Sequence, residues 1–134
     1  MISAAIDTNC FLRFLMGDVP IQTRAIEKRF RQAKNNEINL VTFAFTVVEV
    51  LFQLENWYKL SKIEAATMLT PIVSTSWVQI ENKTAILSTL DHYKNVNIDF
   101  VDILLNSISE VQGLQVLSFD KHFDKLSPKL RLEP

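Results

Sequence analysis

At 134 residues, 48% of them hydrophobic, the chain suits one domain with a single core and is too apolar for a disordered segment. A net charge of −1, from 14 basic and 15 acidic residues, argues against a general nucleic-acid binder that works by bulk positive charge. There is no run of about 18 apolar residues, and no basic start followed by a long apolar stretch, so neither a membrane span nor a secretory signal is expected. The single cysteine, Cys10, leaves no intrachain disulfide, and cytoplasmic residence is the default expectation.

Two glycines and four prolines leave little room for flexible linkers, and one domain over 1–134 is expected. Residues 2–6 read as a first short strand and 9–15 as a short helix, broken by Gly17-Asp18-Val19-Pro20. Pro20 suits the first turn of a second helix running to about Lys34. Asn35-Asn36 breaks it, and 38–42 form a second strand. Residues 45–59 read as a helix apolar on most sides, which should be buried. Ser61 and Glu64 make a capping box for the next helix, which ends near Val73. A third strand at 77–80 leads to a helix over 82–93 with Asn82 as its cap. Residues 99–111 are helical, Gly113 marks the end, 115–119 form the last core strand, and 120–126 a helical turn. Short strands alternating with helices indicate a parallel α/β sheet, and right-handed crossovers put all strand carboxyl ends on one edge.

Four acids fall at that edge. Asp7 ends the first strand, Glu49 lies one turn into the helix after the second, Asp102 is in the first turn of the helix from Asp99, and Asp120 follows the last strand. Ligands of open α/β sheets bind there. Four converging carboxylates repel one another unless a cation joins them. Hard oxygen ligands select Mg²⁺ or Mn²⁺, which can polarise a phosphoryl oxygen and deliver a water. Simpler roles exist: Asp7 and Asp120 as helix caps, Asp102 as the capping-box partner of Asp99. Glu49 is hardest to explain so, because between Val48 and Val50 in a buried helix an unpaired carboxylate is costly. With four acids assigned to metal, the rest of the chain carries net positive charge, as a phosphodiesterase site requires.

The ordered segments Ile6-Asp7-Thr8-Asn9, Val47-Val48-Glu49-Val50-Leu51, Asp99-Phe100-Val101-Asp102-Ile103-Leu104-Leu105 and Val116-Leu117-Ser118-Phe119-Asp120-Lys121-His122-Phe123 resemble the motifs of the PIN domain. Within that family they are most similar to the VapC-like toxins of bacterial toxin–antitoxin pairs, and the resemblance covers essentially the whole chain. It implies a three-layer α/β/α sandwich around a mainly parallel sheet of four to five short strands, and a metal-dependent ribonuclease. It carries the acidic site onto Asp7, Glu49, Asp102 and Asp120. Thr8, Asn9 and Ser118 match hydroxyl or amide groups beside that site, and Asp99 matches an acid frequent in the subgroup, ranked below Asp102 because capping explains it. The expected reaction is hydrolysis of an RNA phosphodiester, with one or two Mg²⁺ or Mn²⁺ ions between Asp7, Asp102 and Asp120 and Glu49 orienting a water or completing the metal's shell. The resemblance also implies a homodimer held inactive by a cognate antitoxin. A receiver-like Mg-binding signalling domain fits Ser118-Phe119-Asp120 poorly, and a PIN-like binding module without catalysis leaves the four acids unused.

Around the site, Arg24, Lys28 and Arg31 share one helix face and, with Arg13, Arg29 and Lys34, suit an RNA backbone; a solvated basic face is the simpler alternative. His92 and His122 have no partner at metal-ligand spacing and read as surface or supporting residues. Cys10 lacks a nearby base and reads as a buried structural thiol. Trp57, Tyr58 and Trp77 read as core or interface. Residues 43–73 are apolar enough for Phe43, Phe45, Phe52, Trp57, Tyr58, Met68 and Leu69 to form a dimer face or a partner groove.

Overall fold

The structure, a computed structural model, describes residues 1–134 and divides the chain into two compact units, Met1–Glu81 and Asn82–Pro134. No helix is long and apolar enough to cross a membrane.

The first unit runs β1 (Ser3–Ala5), α1 (Thr8–Met16), α2 (Pro20–Lys34), β2 (Asn39–Thr42), α3 (Ala44–Asn56), α4 (Lys62–Ser74) and β3 (Val78–Ile80). Its three strands form a parallel sheet in the order β1-β2-β3, with Ala4 opposite Leu40 and Val41 opposite Gln79. Local chemistry sets the helix ends. Gly17 closes α1 at φ +62°, where a side chain would be strained, and its N–H bonds the Arg13 carbonyl. Pro20 opens α2 at a position whose N–H needs no partner. Ser61 and Glu64 form the expected capping box on α4. The core packs Val47, Val50, Leu51 and Leu54 of α3 with Ala65, Ala66 and Leu69 of α4 and Val78 of β3. Phe30 meets Phe14 edge-on at 4.8 Å and lies 5.1 Å from Trp77, so the half-buried Trp77 packs against a core aromatic ring.

The second unit contains α5 (Lys83–Tyr93), α6 (Phe100–Val111), β4 (Val116–Leu117), α7 (Phe123–Leu126) and β5 (Arg131–Leu132). Ile86 and Leu90 of α5 are buried with Ile103 of α6 and Phe123 of α7, and Tyr93 meets Phe100 edge-on at 5.5 Å. Asn82 holds the cap position of α5 in a left-handed conformation without a side-chain capping bond. β4 and β5 pair in parallel. Arg131 secures that pair by bonding the Ser118 carbonyl and the carboxylates of Asp124 and Glu133.

Three expectations need correction. The five short strands form one three-stranded and one two-stranded parallel sheet rather than a single sheet of four to five. The second pairing depends on β5, which two residues do not announce in sequence. α3 is apolar on most sides, as its sequence reads, but it is not buried on most sides. Its buried residues fall on one stripe, while Phe45 and Phe52 are exposed. It stops at Asn56 rather than Lys59, because the chain turns through a positive φ at Lys59 and the Leu60 N–H returns to the Leu54 carbonyl.

Candidate metal centre

In the first unit, Asp7 occupies the N-cap position of α1 in extended conformation, directly after β1 and Ile6. Its carbonyl receives the Cys10 N–H at 3.0 Å, but its side chain caps no backbone N–H. The capping role therefore does not account for the carboxylate, which is exposed. Thr8, the next residue, is buried, and its hydroxyl donates to Glu49 Oε2 at 2.8 Å. Asp7, Thr8 and Glu49 line one cleft of about 270 Å³ together with Phe43, Phe45 and Thr46. Glu49 is itself exposed, which corrects the argument for it: no cost of a buried charge is present. The Thr8 hydrogen bond and the shared cleft distinguish it instead. Asn9 is exposed and lines a different cleft, beside Arg13 and Gln22.

In the second unit, Asp99 stands at the N-cap of α6 but makes no side-chain capping bond, so the capping box expected with Asp102 does not form. Asp102 is half-buried in the first turn. Asp120 follows β4 in a tight turn: its N–H donates to Ser118 Oγ at 3.0 Å, and its Oδ1 accepts the His122 N–H at 3.0 Å. Ser118 therefore shapes the turn that presents Asp120. His122 joins the two acids. Its Nδ1 lies 2.8 Å from Asp120 Oδ2 and its Nε2 3.1 Å from Asp102 Oδ2. The Nε2 contact is close enough for an ion pair but is not aligned as a hydrogen bond. The sequence left His122 as a surface or supporting residue, and its contacts with both acids favour the supporting role. The available signal was its place two residues after Asp120 on a short helical turn, which returns the ring toward the acid.

The remaining candidates separate clearly. Arg24, Lys28 and Arg31 form an exposed face on α2. Arg13 is engaged within the protein, donating to Asp18, Tyr58 and Gln22. Burial and the Asp7 charge push the Cys10 thiol up, against a backbone hydrogen bond to Asp7 that lowers it, so the half-buried thiol is poorly suited to act as a nucleophile. Leu69 is in the core and Met68 is half-buried, whereas Trp57 is exposed.

The donor set is two exposed carboxylates beside a hydroxyl in one unit, and two carboxylates joined by an imidazole in the other. Nowhere in the chain are three or more Asp, Glu, His or Cys side chains gathered in an arrangement that could hold a metal ion. As donors, the oxygens suit a hard divalent cation. Against known families, residues 4–128 match the PIN domain, and the chain belongs to that family. The PIN domain is a three-layer α/β/α fold and generally a metal-dependent nuclease; its nucleases bind RNA and use divalent ions. No curated protein and no solved structure matches the chain.

Proposed function

We propose that this protein is a metal-dependent endoribonuclease of the PIN type, with Asp7, Glu49, Asp102 and Asp120 as the acidic residues that serve Mg²⁺ or Mn²⁺. The family match supports this, since it spans both units and contains all four acids. The observation that carries the reading is Asp7: an acid at a helix N-cap that caps nothing, exposed in a cleft with Glu49. When bound, the ion supplies Lewis acidity and a water more acidic than bulk water. The chain's own residues do the rest. Asp7, Asp102 and Asp120 offer hard oxygen ligands, with Asp99 held in reserve at the start of α6. Thr8 fixes one oxygen of Glu49, leaving the other to orient a water. Arg24, Lys28 and Arg31 hold the RNA backbone, and Arg13 serves structure.

Within this reading the protein is the cytoplasmic toxin of a toxin–antitoxin pair, dimeric and restrained by its antitoxin. The motif resemblance supports that assignment, and exposed Phe52, Trp57 and Ile63 offer apolar area for such contacts. The test is cleavage of labelled RNA with Mg²⁺ or Mn²⁺, with EDTA, and with Asp7→Asn. Cleavage should require the metal and fall at least a hundredfold in Asp7→Asn, with an unchanged unfolding transition. Full activity of Asp7→Asn would sink the four-acid site, and binding without cleavage would leave a non-catalytic module.

A further inference from the structure

We propose that Phe43 and Phe45 form a stacking platform for one unpaired base of single-stranded RNA, a role that rests on the ribonuclease reading. The two rings lie parallel, with centroids 5.2 Å apart and planes within 8°. They are 42% and 71% exposed, so they are not core residues. They line the same cleft as Asp7 and Glu49, and Phe45 precedes Glu49 by one helical turn on the exposed face of α3.

The cleft thus has an aromatic wall and a carboxylate wall. An apolar protein segment laid over the rings would also cover Asp7 and Glu49, removing their charges from water without a partner. A nucleotide offers the rings an aromatic face and leaves the acids to water or a metal ion. Its base covers a ring face while its ribose stays on the polar side, and its phosphate comes beside the acids only with the proposed cation between them. Bases inside a duplex already have both faces stacked, so the platform selects a single strand or a loop. Every base has a π-face, so the platform is tolerant of sequence.

The experiment measures binding of a short labelled RNA, single-stranded and as a duplex, in EDTA at low salt, so that cleavage does not intervene. Phe45→Ala should weaken single-strand binding by about ten- to a hundredfold and leave the duplex nearly unchanged. Phe45→Trp should bind like the wild type. Phe45→Leu, which keeps bulk but lacks a π-face, should behave like the alanine variant. Because Phe45 is exposed, thermal unfolding of all three should match the wild type. The proposal is overturned if Phe45→Leu binds normally, if the wild type shows no preference for the single strand, or if Phe45→Ala changes self-association in sedimentation while RNA affinity holds. A parallel cleavage assay separates it from the nuclease reading. A protein that binds through Phe45 but never cleaves loses only that reading; one that cleaves normally as Phe45→Ala loses only the platform.

Discussion

The most consequential single contact is the hydroxyl of Thr8 on Glu49. Glu49 sits in solvent and so gains little stability from the bond, yet the bond fixes the direction of its carboxylate. Thr8→Val keeps the side-chain shape and removes the donor. It should cost at most about 1 kcal/mol of stability, and lower metal affinity or cleavage by about 10- to 100-fold. Thr8→Ser should restore most of the loss. Metal titration and kcat/KM check this, and a Thr8→Val variant with normal values for both would remove Thr8 from the site. The motif made Thr8 legible, because a hydroxyl follows the strand-ending acid. The sequence argument for Glu49 does not hold. Val48 and Val50 flank it in sequence, but neighbours along a helix point about 100° apart, so their burial says nothing of its own. His122 was left between a surface and a supporting role because its contact with Asp102 runs from the start of α7 back to α6, and no local spacing reports that.

Among the elements, punctuation was legible and side-chain facing was less so. Gly17, Pro20 and the Ser61–Glu64 box act locally, and each sits where its own chemistry requires. The face that α3 leaves open depends on what packs against it, which only the tertiary structure settles. One cross-element connection also escaped the sequence: Arg13 of α1 reaches Asp18 and Tyr58, and the Tyr58 hydroxyl donates to Asp18 at 2.8 Å. Tyr58, and then Arg13, hold the Asp18 carboxyl below the usual carboxylate range. Burial first, and then Asp18, push the Tyr58 hydroxyl up. Because Asp18 is depressed in the folded state, its contribution is full above its ordinary value of 3.8 and is lost as pH falls through the lower folded value. Because Tyr58 is raised, its contribution is full below its ordinary 10.0 and is lost as pH rises through the higher folded value. The stability difference between wild type and Tyr58→Phe should therefore be widest between those limits and narrow beyond both. Urea unfolding across pH reads it, and a difference that stays flat with pH would dismiss the linkage.

For the whole molecule, the total charge of −1 conceals a division of labour. Acids are gathered in pairs beside Thr8 and His122, while Arg24, Lys28 and Arg31 stand exposed on α2. Composition alone averages these away, and it argued against the ligand that the family binds. Salt dependence separates a backbone-binding face from a merely solvated one, because only the first releases counterions from RNA. Each phosphate contact contributes about 0.7 to the log–log slope on single strands, so replacing Arg24, Lys28 and Arg31 by Gln should reduce the slope by about 2. The binding of RNA should weaken most at low salt, and the unfolding transition should barely move, since exposed charges contribute little to stability. Arg13→Gln supplies the contrast. Its guanidinium is held by Asp18 and Tyr58, so its loss should lower stability and leave the salt slope as it was. If the triple variant keeps the wild-type slope, the α2 face serves solubility alone. If Arg13→Gln reduces the slope instead, the RNA path runs over α1, and the internal ties of Arg13 must open when RNA binds.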